Sequence, residues 1–424
     1  MRVQKMLFKL IIAIITISVI LPGCVKDKIT KTYTILTPVY ENKATVLSNI
    51  KIGTPESIKS PGKIYLYGQY IFLNEIDKGV HVINNTNPAN PVNLGFIDIP
   101  GNLDIAVNGT TLYADFYSDL IAIDITNPQQ AKFSKLLPHI FPDRQYTNGF
   151  SPDTTKIIID WIKKDTTIDI SGGQGYGGWF NCRACLAYSS LTPGVVNDGS
   201  KNSVSVPGIA GSMSRFAIVN EYLYAVNNST LESISISEAL NPQLVKSDNV
   251  GWNIETIFPF KEKLFIGSAS GIFIYDISNP SSPERKGNFE HLRACDPVVA
   301  DDNYAFVTLR SGTRCQGFTN QLDVLDVANV NSPSLVKTYG MTNPHGLSKD
   351  GNTLFVCDGK DGLKVYDVSN VNDLKLIDHL QGMDTYDAIA WNKKLILVTS
   401  NGIRQYDYSD IKTIRLLSTI SITH

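Results

Sequence analysis

A short motif recurs along the chain at intervals close to 40 residues. Its clearest copy is GIFIYDISNPSSP, residues 271–283. Further copies lie at residues 79–91, 119–128, 166–171, 230–237, 321–333, 362–373 and 402–410. The residues equivalent to Asp276 are Asn84, Asp124, Asp169, Ser235, Asp326, Asp367 and Asp407, so the intervals along the series are 40, 45, 66, 41, 50, 41 and 40. This period, with alternating apolar residues, predicts one four-stranded unit per repeat.

Each motif is flanked by other short apolar strands. A second strand precedes it, as in KLFIG (263–267), and a fourth strand follows it, as in DLKLIDHL (373–380). Four short strands repeated around a ring describe an all-β protein, a β-propeller of four-stranded blades. The units start near residues 60, 102, 139, 211, 252, 292, 342 and 384. The sequence therefore predicts a propeller over residues 60–424 with eight blades, and seven blades as the alternative.

The two longest intervals between motifs predict insertions. One insertion covers residues from about 171 to 201, in a Gly-rich and Cys-containing stretch of the third unit. The other covers residues 310–321, between the second and third strands of the sixth unit. Loops of this length on a compact scaffold are usually functional or disordered.

Four of the apolar runs carry a resemblance to a known family. LIAID, IFIYD, LDVLD and LKVYD resemble the LVIVD repeat, which forms β-propellers in secreted and lipid-anchored proteins of bacteria. The resemblance covers nearly all of residues 60–424, although the third and fourth units lack the Asn-Pro turn at the usual place. It implies a propeller at the cell envelope and no particular reaction.

The first 24 residues resemble the leader of a bacterial lipoprotein. Arg2, Lys5 and Lys9 precede an apolar run that is too short to span a bilayer, so residues 1–23 are expected to be a signal peptide. LPGC, residues 21–24, resembles a lipobox, which implies cleavage before Cys24 and attachment of lipid, including palmitate. A plain signal peptide followed by a chance cysteine is the alternative. We expect residues 24–59 to be a lipidated N-terminus with a linker or arm, and the protein to be anchored to the outer membrane, facing the periplasm or the cell surface.

Charge excludes one class of partner. The formal net charge is −2, and no long basic run follows the first residues. Binding to a nucleic acid backbone needs clustered Lys and Arg, so nucleic acid is not expected as a partner. The expected partners are the membrane, through the lipid anchor, and a protein or glycan ligand.

Polar residues occupy the start of every first strand when the units are aligned on their second strands. In a propeller these positions surround one mouth of the axial channel, and Arg310 and Asp358, which follow second strands, should approach the same mouth. The aligned residues are Lys63, Asp104, Asn148, Arg215, Glu255, Asp296, His345 and Asp387. They predict a site for a ligand, an oligosaccharide or a divalent metal, with no other cofactor. The alternative is that charged residues at a wet mouth neutralise one another.

The remaining cysteines suggest disulfides in an oxidising compartment. Cys295 and Cys315 fall at the same end of one hairpin, which favours a disulfide that holds the enlarged loop. Cys182 and Cys185 favour a structural disulfide or free thiols, because no second cysteine pair is near enough to complete a zinc site.

The motif itself predicts a turn and not a catalytic site. Asp, Ser and Asn side chains form hydrogen bonds with nearby backbone N–H groups, and Pro fixes the backbone angle φ. Because the motif recurs in most units, we expect these residues to stabilise the turn of each blade. No catalytic residue is therefore assigned. The sequence favours a non-enzymatic, lipid-anchored binding or interaction scaffold. The alternative is an extracytoplasmic enzyme that acts on a polysaccharide or another small substrate at the axial mouth, using Asp296, Asp387, His345 and Glu255.

Overall fold

The computed structural model describes residues 30–144, 146, 150–169, 209–290, 297–311 and 319–423. These residues belong to two compact units. The smaller unit contains residues 30–39, 146, 150–152 and 160–169, and the larger unit contains the rest. All copies of the repeated motif lie in the larger unit, except the copy that begins at residue 166.

Two strands and a helix come before the first repeat. They are β1 (Thr30–Asn42), α1 (Lys43–Asn49) and β2 (Ile52–Gly53). Asn42 caps α1, because its side-chain oxygen accepts the N–H of Ala44 at 2.9 Å. In the described ranges, no helix has the length and apolar character needed to cross a membrane.

The first two repeats form blades 1 and 2. Their strands are β3 (Pro61–Tyr67), β4 (Tyr70–Glu75), β5 (Gly79–Asn84) and β6 (Val92–Asp98), then β7 (Ile105–Asn108), β8 (Thr111–Phe116), β9 (Asp119–Asp124) and β10 (Lys132–Leu137), with a 3-10 turn at Pro128–Gln130. Neighbouring strands in each blade are consecutive in the chain and antiparallel. β2 pairs with β6 and extends blade 1 at its outer edge.

Among the residues that the structure describes, the third repeat does not form a blade, so the prediction of eight blades is wrong. The run KIIID (156–160) and residues 166–169 of the third motif, expected to belong to two strands of one unit, lie on a single strand, β11 (Lys156–Asp169). The intervening WIKKD contains no Gly, Pro or Asn to start a turn, so the chain stays extended. β11 pairs with β1 in a separate two-stranded sheet, where Thr34 donates to Asp165 at 2.7 Å.

The last five repeats form blades 3 to 7, which follow β12 (Ile209–Ala210). Blade 3 contains β13 (Phe216–Val219), β14 (Tyr222–Val226), β15 (Thr230–Ser235) and β16 (Gln243–Asn249); blade 4 contains β17 (Ile254–Phe260), β18 (Lys263–Ser268), β19 (Gly271–Asp276) and β20 (Glu284–Glu290). Blade 5 contains β21 (Val298–Ala300), β22 (Tyr304–Leu309), β23 (Gln321–Asp326) and β24 (Ser334–Gly340). Blade 6 contains β25 (Leu347–Asp350), β26 (Thr353–Cys357), β27 (Leu363–Asp367) and β28 (Lys375–Leu380); blade 7 contains β29 (Thr385–Trp391), β30 (Lys394–Thr399), β31 (Gly402–Asp407) and β32 (Arg415–Ser421). The described residues thus form a β-propeller of seven blades, the stated alternative.

The first strand of each blade lies on the inside of the ring. These strands contact one another in order, from β3 through β7, β13, β17, β21 and β25 to β29. β12 pairs with β3 and also contacts β29, so it stands between blades 7 and 1 on the inner side. Apolar side chains of blades 1 and 7, including Ile64 and Ile389, share one buried cluster. The N–H of Thr423 donates to the carbonyl of Ile58 at 2.8 Å, which closes the ring at its two chain ends.

The repeated motif forms a turn between the third and fourth strands. Oδ1 of Asp276 accepts the N–H of Ser278 at 2.9 Å and its hydroxyl at 2.5 Å. Equivalent contacts to the residue two positions later are made by Asn84, Asp124, Asp326, Asp367 and Asp407. The scaffold role predicted for the motif is confirmed, since the side chain satisfies backbone groups of the turn.

Candidate functional site at the propeller axis

Residues 211–215, here called the axial segment, connect β12 to β13. Residues 211–214 are buried. The hydroxyl of Ser212 accepts the N–H of Leu347 in blade 6 at 2.7 Å, and the carbonyl of Met213 accepts a hydrogen bond from Nζ of Lys63 in blade 1 at 2.9 Å. Another main-chain bond joins the segment to the first strand of blade 4. Contacts to blades on different sides of the ring put this segment on the propeller axis.

Two carboxylates and two cations surround the C-terminal end of the axial segment. Oδ2 of Asp104 accepts the N–H of Arg215 at 2.8 Å and lies 3.7 Å from Nζ of Lys63. The guanidinium of Arg215 lies 3.9 Å from Asp104 and 3.5 Å from Asp115. Burial raises the pKa of Asp115, and the positive charge of Arg215 lowers it. Lys63, Asp104 and Asp115 are buried, Arg215 is partly buried, and the four charges neutralise one another, as a stable internal ion network requires.

Asp387 lies against the other end of the axial segment. Its carboxylate is 3.4 Å from the hydroxyl of Ser212, and the Asp387 side chain is buried. A Cβ at Gly211 would lie 1.9 Å from a carboxylate oxygen of Asp387, and a Cβ at Gly346 would lie 2.1 Å from the other oxygen, so the carboxylate fits only between glycines. Burial raises the pKa of Asp387 to about 7, although backbone hydrogen bonds and the charge of Lys63 lower it.

A second cluster lies between blades 5 and 6. NH1 of Arg310 donates to Nδ1 of His345 and lies 3.0 Å from its Nε2, and the Asn343 amide is 3.1 Å from Nε2. The ring of Tyr386 meets the His345 ring edge to face, with centroids 5.4 Å apart. Burial and the charge of Arg310 lower the pKa of His345 to about 3, so the imidazole is neutral at physiological pH. Burial lowers the pKa of Arg310, and the charge of Glu255 raises it.

Asp358 belongs to neither of these clusters. It caps the loop that enters blade 6. Its carboxylate accepts the N–H of Thr342 at 3.0 Å and that of Asn343 at 2.7 Å. Glu75 in blade 1 and Asp115 in blade 2 cap the equivalent loops in the same way. A carboxylate that ends the second strand thus satisfies backbone N–H groups at the start of the first strand.

The ring predicted from the sequence is therefore divided among several places. Lys63, Asp104, Arg215 and Asp387 meet around the axial segment, and Arg310 meets His345 near Glu255. Asp358 caps a loop and pairs with a lysine. The others lie outside the described residues: Asn148 and Asp296, together with Cys24, Cys182, Cys185, Cys295 and Cys315. The lipid-attachment and disulfide expectations for those cysteines stay predictions.

Sequence reasoning missed the residues that reach the axis from outside the aligned positions. Ser212 and Gly211 precede β13 and have no counterpart in the repeat, so no pattern in the sequence points to them. Asp115 did have a signal, because the second-strand runs TLYAD, YIFLNE and TLFVCD all end in a carboxylate.

The metal expectation is not decided by the described residues. In the part of the chain that the structure describes, no three His, Cys, Asp or Glu side chains are grouped so as to hold a metal ion. Asp296 lies outside that part, so a divalent metal at the axial mouth stays a prediction.

Comparison with protein families gives one match. The model of the LVIVD repeat matches residues 264–291, 293–341 and 346–379. Residues 264–379 carry LVIVD repeats. These LVIVD repeats correspond to the second to fourth strands of blade 4, to blade 5 and to most of blade 6. The resemblance to this repeat that was seen in the sequence is confirmed there. No curated protein sequence matches the chain.

Solved structures share the fold at low identity. A protein from Lactobacillus plantarum has a TM-score of 0.52 at 12% identity, over 92% of this chain and 97% of that chain. The computationally designed Ika8 protein has a TM-score of 0.51 at 10% identity, over 86% of this chain and 90% of that chain. The periplasmic gluconolactonase PpgL of Pseudomonas aeruginosa has a TM-score of 0.49 at 10% identity, over 92% and 97% of the two chains. At these identities the likeness concerns the fold alone.

Proposed function

We propose that this propeller is a non-enzymatic binding scaffold, anchored by lipid at the bacterial cell envelope. The observation that carries the proposal is the filled axis. Lys63, Asp104 and Asp387 are buried and directed at the axial segment, and none of the three is more than 7% exposed. Groups that contact one another and a buried chain segment are not arranged to receive a substrate. Binding then falls to the partly exposed residues around the axis and to the propeller faces.

The anchor is the second part of the proposal. LPGC at residues 21–24 supports lipid attachment at Cys24. A Cys24→Ser variant should lose palmitate labelling and move from the membrane fraction to the soluble fraction. The reason is that the protein then lacks the lipid that holds it at the membrane. The matched control is Cys357→Ser, which changes a buried thiol of blade 6 and should leave the fractionation unchanged. A Cys24→Ser protein that stays labelled and membrane-bound would contradict the anchor.

Scaffold and enzyme can be separated by what happens to a bound ligand. The full chain in detergent would be screened by thermal unfolding against divalent cations and a panel of oligosaccharides, because a ligand of the folded state raises the unfolding temperature. Each ligand that shifts the transition would then be incubated with the protein and analysed for products. We expect every such ligand to be recovered unchanged. Consumption that is lost in Asp387→Asn would refute the scaffold.

One observation favours the alternative, an enzyme of the axial mouth. A buried carboxyl with a pKa of about 7, as in Asp387, has the acidity of a general acid or base that works at neutral pH. Access is the objection, because this carboxylate is enclosed by Gly211, Ser212 and Gly346. The same product analysis decides between the two functions.

A further inference from the structure

We propose that the Arg310 cluster, defined as Arg310, Asn343 and His345, binds the carboxylate group of a small acidic ligand such as an acidic sugar. The inference rests on the proposed function, for which it names a ligand class and a binding site. It differs from that proposal in place, because the site is between blades 5 and 6 and not on the axis.

The position of the cluster makes it reachable from solvent. Arg310 follows the last residue of β22, and Asn343 and His345 lie in the loop that leads into β25. All three residues are partly exposed, unlike Lys63, Asp104 and Asp387 at the axial segment, which are buried. The carbonyl of His345 accepts the hydroxyl of Thr308 at 2.6 Å, so the main chain that carries the imidazole is fixed to blade 5.

The chemistry of the contact fixes the charge of the cluster. An arginine N–H can only donate, so the imidazole nitrogen that it contacts must be an acceptor. The Nδ2 group of Asn343 contacts Nε2 and can also only donate, so the ring is surrounded by donors and the imidazole is neutral. The low pKa of His345 agrees with this geometry. The guanidinium therefore faces a neutral base, and its charge is not neutralised by that partner.

Other half-buried cations of the propeller meet carboxylates instead. Arg215 meets Asp104 and Asp115, and Lys364 lies 2.5 Å from Asp358. Nε of Arg310 is buried and, in the described ranges, has no hydrogen-bond partner. A buried donor on a charged group is costly to leave unsatisfied, and an oxyanion that accepts two parallel N–H bonds is the natural complement of a guanidinium.

The charge of Glu255 selects the kind of anion. It acts on Arg310 and raises the pKa of the guanidinium. A dianion would be repelled by Glu255 twice as strongly as a monoanion at the same distance. The cluster therefore fits a carboxylate better than a phosphate dianion.

The test is isothermal titration calorimetry with the full chain in detergent. The probes are glucuronate, its neutral analogue glucose, and inorganic phosphate. We expect glucuronate to bind, glucose to give no heat of binding, and phosphate to bind more weakly than glucuronate. Arg310→Gln should weaken glucuronate binding at least about tenfold, because a bidentate charged contact is lost. Arg415→Gln is the matched control, since that arginine is 72% exposed on the outermost strand of blade 7, and it should bind as the wild type does.

Measuring the affinity for glucuronate at several pH values separates a binding role of the Arg310 cluster from a purely structural one. Because Arg310 keeps its charge and His345 stays neutral, the affinity for glucuronate should be the same from pH 5.5 to pH 8 within about twofold. Affinity that rises on acidification with a midpoint near pH 6.5 would mean that a protonated His345 holds the ligand, and would overturn the assignment.

Other results also overturn the proposal. These are no binding of glucuronate by the wild type, equal binding by Arg310→Gln, or tighter binding of phosphate than of glucuronate. If Arg310→Gln does not fold, Arg310→Lys replaces it. The lysine variant keeps the positive charge but cannot donate two parallel N–H bonds, so it should bind glucuronate with intermediate affinity. Breakdown of glucuronate during the titration would refute the scaffold function and leave the site standing, so the two failures are distinguishable.

Discussion

Replacing Asp104 with alanine is expected to lower the free energy of unfolding by about 3–5 kcal/mol, the usual loss when one partner of a buried ion pair is removed. Asp104 is fully buried, and its carboxylate meets Nζ of Lys63 at 3.7 Å and the N–H of Arg215 at 2.8 Å. Without that carboxylate, Lys63 keeps a buried charge and loses the negative partner that lies 3.7 Å from its Nζ. Urea denaturation followed by tryptophan fluorescence measures the change.

The matched control for this experiment is Asp302→Ala. Asp302 pairs with Lys261 at the surface, where its side chain is 63% exposed, so its removal should cost less than about 1 kcal/mol. A double variant, Lys63→Met with Asp104→Leu, should recover part of the loss, because apolar side chains of similar size replace the buried charges. An Asp104→Ala loss no larger than that of Asp302→Ala would contradict the buried network on the axis.

The repeat predicted the blade but not the number of blades. Each copy of the motif with a turn residue after its second strand became part of a four-stranded sheet. The copy at residues 166–171 matches the apolar pattern, yet WIKKD before it contains no Gly, Pro or Asn. Apolar alternation is the same in one long strand and in two short ones, so only the missing turn separated β11 from a blade.

Only those residues of the candidate site that occupy equivalent positions in the repeats were predictable from the sequence. The first-strand positions directed Lys63, Asp104 and Asp387 toward one region, since equivalent positions in equivalent blades converge on the axis. Residues 211–214 of the axial segment, which fills this region, come before the aligned position of Arg215, and their contacts with distant blades are not encoded in any local pattern. The sequence therefore indicated a ring of charges but not what occupies its centre.

The neutral state of His345 was likewise beyond the sequence. As an isolated residue, histidine titrates near pH 6.5, and the alignment shows only that His345 is one of the polar residues at the start of the first strands. In the fold its nearest charged group is Arg310, more than 30 positions away in the chain. Burial and that positive charge lower the pKa of His345 to about 3, and neither cause is visible in the local sequence.

Asp387→Asn is expected to stabilise the protein at pH 8 and to leave it unchanged at pH 4. The pKa of Asp387 is raised from 3.8 to about 7, so the folded state holds a proton that the unfolded state releases between these values. The wild type therefore loses stability as pH rises through that window, by about 1.4 kcal/mol for each unit of pKa shift. The gain in the variant is on the order of 4 kcal/mol at most, since asparagine resembles the protonated carboxyl and carries no charge to bury.

The measurement is the difference in free energy of unfolding between Asp387→Asn and the wild type, across pH 4 to 8. The low pKa of His345 acts in the opposite direction, because a base whose folded pKa is depressed loses stability as pH falls below 6.5. That effect is common to both proteins and cancels in the difference. Asp367→Asn is the control of opposite sign, since hydrogen bonds from Ser369 lower the pKa of Asp367 and the variant should be less stable at pH 8. A loss of stability in Asp387→Asn at pH 8 would mean that the charged carboxylate is a net favourable partner of Lys63, and that Asp387 is ionised on the axis.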